Sequence, residues 1–149
     1  MILGIRPATP QDVDWLMSRL ERLSLFGLTK KKLFDDSDYT RAGLLNLIDR
    51  HVVFLAERDG QVVGFIGGYF VLHPFNPTVK MLSELFWWVD EEHRGCGAGA
   101  KLALAFVDHG KAHADWTVFG LSSNTPVKEA SILKMGFHLH ERCYLMENK

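Results

Sequence analysis

The sequence is poor in cysteine, with two in 149 residues, Cys96 and Cys143. Two are too few for a disulfide framework, and the expected compartment is a reducing one, the cytoplasm. Neither sign of charge prevails: Lys and Arg number 17 against 18 Asp and Glu, a net charge of −1. No global field draws such a chain onto nucleic acid or an anionic membrane, so neither is an expected partner. Long apolar runs are missing too, none approaching the ~18 residues a membrane span needs. Met1 to Thr9 has one arginine and no long apolar core, which does not read as a signal peptide. Internal repeats and low-complexity stretches are absent. What remains is ordinary for a folded chain, 47% hydrophobic and 23% charged. The length suits one domain over residues 1–149 that buries roughly 68–70% of its unfolded surface.

Local patterns give an element order. Ile2 to Arg6 reads as a first strand. Thr9-Pro10-Gln11-Asp12 reads as a helix start, with a capping hydroxyl, a preset φ and an acid at the positive helix end. Val13, Leu16, Met17 and Leu20 follow at helical spacing, and Gly27 ends or interrupts that helix. A polar stretch over 28–40, with Lys30-Lys31-Lys32, reads as a loop or broken helix. A helix resumes from Tyr39 to Asp49, its apolar side formed by Leu44, Leu45, Leu47 and Ile48. Val52 to Glu57 and Gln61 to Leu72 form a hairpin around Asp59-Gly60. In its second strand Gly64, Gly67 and Gly68 mark bulges or close approach of another group. The two prolines of His73 to Pro77 make that segment a loop. Met81 to Val89 is apolar on both faces, hence central. Gly99 to His113 is helical and Trp116 to Leu121 a buried strand. Thr125-Pro126 opens a last helix that Gly136 closes, and Phe137 to Met146 reads as one or two final strands. The class is α/β, a mixed α+β domain.

Between the Met81–Val89 strand and its helix lies Arg94-Gly95-Cys96-Gly97-Ala98-Gly99. A glycine-rich turn into a helix start presents free backbone N–H groups at the positive end of a helix dipole. Its natural guest is a phosphate or pyrophosphate, with Arg94 adding a charge-assisted contact. The plainer alternative is a tight turn with no ligand. No Gly-Lys-Ser/Thr follows, and the spacing is not that of a dinucleotide fingerprint.

These residues resemble the GNAT superfamily of N-acetyltransferases. Its acetyl-CoA loop, Q/R-x-x-G-x-G/A, is matched by Arg94, Gly97 and Gly99, approached through Val89 and His93. Its hairpin is matched by Ala56, Glu57, Asp59, Gly60, Val63 and Gly64, and its Lys-x-Gly-Phe segment by Lys134, Gly136 and Phe137. The resemblance spans most of residues 52–149. It implies the acyl-CoA N-acyltransferase fold, a mostly antiparallel twisted sheet splayed at the CoA site with about four helices. It implies acetyl-CoA as cosubstrate, an amine as acceptor, and direct attack through a tetrahedral intermediate. The pantetheine arm would pair along Trp87, Trp88 and Val89. The pyrophosphate would rest on the amides of Cys96, Gly97, Ala98 and Gly99, with Gly95 in the same cofactor-binding loop and Asn124 nearby. Residues 23–40 and 73–78 would border the acceptor. A homodimer is a family-level expectation.

An ammonium is no nucleophile, so the amine must lose a proton. Glu84, a carboxylate among apolar neighbours, is the candidate base; the alternative is a carboxylate held for structure. Ser83 and Ser122 are weaker relays. The tyrosine that the family places in its last helix to protonate the leaving thiolate is Ile132 here, and Tyr144 is the substitute candidate. This departure leaves open a catalytically weak CoA-binding or protein-interaction module. Lys128 reads as an exposed helix lysine. His109 and His113 share a helix face, but no third ligand follows at a familiar spacing, so no metal site is assigned. His138 and His140 face solvent. Cys96 reads as an inert small residue.

Overall fold

The computed structural model describes residues Met1–Lys149. One five-stranded sheet runs in the order β1-β2-β3-β4-β5, formed by β1 (Leu3–Pro7), β2 (Val52–Arg58), β3 (Gln61–His73), β4 (Asn76–Val89) and β5 (Trp116–Val118). The first four strands are antiparallel and β5 lies parallel to β4. The helices are α1 (Val13–Ser24), α2 (Asp38–Arg50), α3 (Ala98–His113) and α4 (Glu129–Lys134). The expected class and sheet are therefore what the chain forms. No helix is long and apolar enough to cross a membrane.

Strand alternation splits the core in two. Val53, Leu55, Phe65, Phe86 and Trp88 face α1 and α2, where Val13, Leu16, Met17, Leu44 and Leu47 meet them. Val52, Ala56, Ile66 and Leu82 face α3, packed against Ala98, Leu102 and Phe106. The expected start of α1 forms with a 3₁₀ turn over Pro10–Asp12. Thr9 and Asp12 make a capping box, and Arg6 grips the Asp12 carboxylate at 2.9 Å. At the β2–β3 turn Asp59 and Gly60 both take positive φ, 52° and 82°, the primed geometry that suits the strands' twist.

Four local readings need correction. His73 to Pro77 is a tight turn rather than a loop, because β4 begins at Asn76, paired with His73. Pro77 falls in the irregular stretch before Lys80, where no ladder N–H is required of it. The strand at Trp116 stops at Val118 and is half-exposed, since its only neighbour is a short part of β4. The last helix begins at Glu129, after Lys128; Thr125 caps a local turn instead, accepting the Val127 N–H at 3.2 Å. Finally, Phe137 to Met146 forms no strand: Leu139, Leu145 and Met146 are exposed. Phe137 docks against Phe119, with ring centroids 4.9 Å apart, and His140 lies beside Trp116 at 6.5 Å. Gly136 does take the left-handed conformation after α4, φ 99°.

Candidate functional site

The site starts where the sheet comes apart. β5 pairs with β4 only over Met81–Ser83, so the edge of β4 from Glu84 to Val89 has no strand beside it. At that point β4 carries a bulge: Gly67 is opposite Phe86 and Gly68 opposite Glu84, leaving Leu85 as the extra residue. Gly68 makes the bulge sterically feasible, because a Cβ there would lie 2.3 Å from the Ser83 carbonyl oxygen and 2.7 Å from the Phe106 ring. The extra residue shifts the alternation. Phe86 and Trp88 point to the α1/α2 core, while Trp87 and Val89 point to the α3 side, along with Leu82 before the bulge. Sequence reading expected Gly67 and Gly68 to mark something; the bulge is what they mark.

Glu84 sits at the split. Its carboxylate accepts the Gly120 N–H at 3.3 Å, bridging the gap just past β5. Burial pushes this carboxyl up to about 7, partly offset by that hydrogen bond. Trp87 lines the same gap by stacking on Phe119 at 5.8 Å, and Phe119 in turn stacks on Phe106 at 5.5 Å.

At the far end of the open edge lies the glycine loop. Gly95 and Gly97 have φ of 84° and 91°, which only glycine adopts without strain. Lys101 makes the first backbone bond of α3, to the Gly97 carbonyl at 3.1 Å. The six amides before it, from Gly95 to Ala100, donate to no carbonyl and no side chain. Six consecutive free donors at the positive end of a 16-residue helix form a cradle for an oxyanion. The Val89 amide faces outward as well, because the next amide, Asp90, donates inward to the Val63 carbonyl at 2.8 Å. A cleft of about 230 Å³ joins the two features, lined by Trp87, Val89, Arg94, Gly95, Ala98 and Gly99, with Pro126 and Val127 opposite.

The remaining expected residues are placed as follows. Arg94 donates from Nε to the Val89 carbonyl at 3.0 Å and lies over the Trp88 ring, 4.8 Å from its centroid. Its guanidinium is thus a wall of the cleft. Trp88 is buried and contributes less to the cleft than Trp87 does. Cys96 is half-buried against the α3 core. Asn124 donates from Nδ2 to the Phe26 carbonyl at 2.6 Å, tying its loop to the α1–α2 connection. Tyr144 is 89% exposed and makes no hydrogen bond, so Glu84 and Tyr144 are not brought together by any shared partner.

One cluster gave no signal in the sequence. Asp90, 2% exposed, accepts from Arg19 Nε and Nη2 at 3.0 Å and from the Trp88 indole N–H at 3.0 Å. Its backbone carbonyl accepts the His93 N–H, so the carboxylate anchors the first residue of the loop. Seventy-one positions separate Arg19 from Asp90, and no local pattern joins residues at that distance.

The structure is similar to a predicted acetyltransferase from Clostridium acetobutylicum solved with acetyl-CoA, at TM-score 0.77 and 18% identity over 98% of this chain and 96% of that one. It is similar to the glucosamine-6-phosphate N-acetyltransferase of Arabidopsis thaliana, at TM-score 0.73 and 16% identity over the whole of both chains. It also resembles the ribosomal-protein-alanine N-acetyltransferase of Brucella melitensis biovar Abortus 2308, at TM-score 0.69 and 16% identity over 99% and 100% of the two chains. No curated protein matches the chain significantly in sequence. The profile of the Acetyltransferase (GNAT) family matches residues 16–137, which take in most of α1, the bulged strand, the glycine loop and α4. The chain therefore belongs to the Acetyltransferase (GNAT) family.

Proposed function

We propose that the protein is an acetyl-CoA-dependent N-acetyltransferase that passes the acetyl group directly to a primary amine, with residues 1–149 acting as one catalytic domain. The observation that carries this reading is the run of six unpartnered amides from Gly95 to Ala100, at the end of an unpaired strand edge. A diphosphate fits such a cradle, with Arg94 at its side, and an extended amide-bearing arm fits the edge from Trp87 to Val89. Asn124 serves here as a tether of the cleft wall.

Acetyl-CoA enters as a substrate and supplies a thioester. Glu84 takes the proton of the incoming ammonium. Its carboxyl, held near 7, is a base matched to neutral pH. The free amine attacks the thioester carbonyl carbon. The C–N bond forms, the C–S bond breaks, and the second N–H proton neutralises the departing thiolate, giving an amide and CoA. A thiol leaves readily as the thiolate at neutral pH, so the reading gives Tyr144 no step. Holding both reactants in one cleft supplies much of the rate.

Calorimetric titration with CoA tests the cradle. The wild type is expected to bind in the micromolar range. A Cβ at Gly99 would sit 3.7 Å from Val89 and 3.9 Å from Trp87, an ordinary contact, so Gly99→Trp fills the cleft without straining the fold. Its CoA affinity should fall about 100-fold or more, some 2.7 kcal/mol. Undiminished binding would refute the placement. Ile132 and the exposed Tyr144 favour a second reading, a CoA-binding module without turnover. CoA release above hydrolysis with any amine excludes it.

A further inference from the structure

On the opposite face of the sheet from the glycine loop lies a larger cleft of about 480 Å³. Its walls are Leu20 of α1, Thr40, Gly43, Leu44, Asn46 and Leu47 of α2, and the strand residues Tyr69 and Val71. Its floor includes Leu85 and Phe86, the bulge itself, so it opens onto the edge where β5 departs. Not one of its twelve lining residues carries a carboxylate, an ammonium or a guanidinium. Its polar side chains are Thr40, Asn46, His51 and Tyr69, all neutral hydrogen-bonding groups. The hydroxyls of Thr40 and Tyr69 and the Asn46 amide have no partner in the protein. His51 accepts the Phe70 N–H at Nδ1, 3.0 Å, which leaves its ring proton on Nε2.

We propose that this cleft seats the acyl acceptor, and that the acceptor is a small primary amine with an aromatic or branched hydrocarbon body and no second charge. The proposal rests on the acetyltransferase reading and adds the substrate class to it. Position supports the first part. The cleft reaches β4 at Leu85 and Phe86, and the glycine-loop cleft begins at the next residue, Trp87, which points to the other face of the sheet, so acceptor and thioester approach the gap from opposite sides. Chemistry supports the second. A polyamine or aminoglycoside brings several ammonium groups, each of which loses hydration on entry and needs a carboxylate in return. A phosphorylated amino sugar needs arginine or lysine. The lining offers neither. It offers apolar surface around Leu44, Leu47, Leu85 and Phe86, and a few neutral donors and acceptors to orient a body, the pattern of a selective small-molecule pocket.

The experiment is an amine panel with acetyl-CoA and a thiol-detecting readout, run beside calorimetric titration of CoA. kcat/KM for 2-phenylethylamine and isoamylamine should exceed that for spermidine, kanamycin and glucosamine 6-phosphate by about tenfold or more. Gly43 has open space where its Cβ would be and lies on the exposed side of α2, so Gly43→Trp fills the cleft and leaves the core alone. It should raise KM for 2-phenylethylamine about tenfold and leave KM for acetyl-CoA unchanged, while Gly43→Glu shifts preference toward spermidine. A preference for a multiply charged amine in the wild type, or an acceptor KM indifferent to Gly43→Trp, overturns the proposal while the acetyltransferase reading stands. If CoA binds but nothing turns over, 2-phenylethylamine is titrated against the CoA complex: binding weakened by Gly43→Trp sustains the cleft assignment, and absence of binding ends it. If CoA itself does not bind, the acetyltransferase reading fails and this one with it.

Discussion

Glu84 shows how one side chain is set by its surroundings. A carboxyl half-buried at the split in the sheet, with a single amide donor at 3.3 Å, is pushed up to about 7 by its loss of hydration. As a base it must be ionised, so kcat/KM should rise with pH through about 7 and level off above. Glu84→Gln should remove that limb of the profile and lower kcat about 10²–10⁴-fold. Stability moves the other way. The folded carboxyl holds its proton up to about 7 while the unfolded one releases it near 4.5. The native state thus binds more protons between those values, and stability falls as pH rises across them. The glutamine variant lacks this penalty and should be more stable than wild type above pH 7, by about 2–3 kcal/mol. Urea melts of both proteins at pH 5 and 8 check this: a gap that does not widen with pH means the carboxylate is hydrated. This residue was legible in the sequence as a lone acid in an apolar run. Tyr144 was equally visible, but nothing local reveals whether the strand meant to carry it forms.

Elements with their own chemistry read well. The Asp59-Gly60 hairpin and the start of α1 are fixed by residues next to one another, and both form as expected. Arg6 holds the Asp12 carboxyl at about 2, well below its ordinary value. Asp12→Ala should therefore cost about 1 kcal/mol at pH 7. That gap is full above pH 4 and closes as pH falls toward 2, which denaturant midpoints across the acid range will show. Elements that depend on a distant neighbour read poorly. Trp116 to Leu121 has the composition of a six-residue strand, but β4 turns away after Ser83 and only three residues pair. Phe137 to Met146 has strand-like residues and no edge to join. The bulge lies between these cases: two adjacent glycines announced it, while its partner, Leu85, carries no mark. Gly68→Ala forces a methyl against the Ser83 carbonyl and the Phe106 ring. It should destabilise by about 1–3 kcal/mol, read from the urea midpoint. It should also lower acceptor turnover more than CoA affinity, because the bulge, not the glycine loop, is what moves.

Across the whole molecule, the sheet separates two cores, and the cleft beside the glycine loop opens where β4 has lost its β5 neighbour. What fixes the glycine loop to the far core is the Asp90 carboxylate, gripped by Arg19 from α1 and by the Trp88 indole. Arg22 stands 3.9 Å away, too far for a hydrogen bond. Arg19 also covers the Trp15 ring at 4.7 Å, so Arg19→Met keeps the packing and removes the charge. It leaves a buried carboxylate without its main partner, a loss of about 3–5 kcal/mol. For a chain of this size that lowers Tm by at least about 6 °C. Because the backbone of Asp90 also receives the His93 N–H, CoA affinity should weaken in the same variant. Adding Asp90→Asn removes the stranded charge and should restore part of the lost Tm, a non-additivity that independent sites do not show. Restored Tm without restored CoA affinity would mean that the ion pair positions the loop; recovery of both would mean that neutrality at position 90 is enough. A double variant no more stable than Arg19→Met would show that the carboxylate is not what holds the loop to α1.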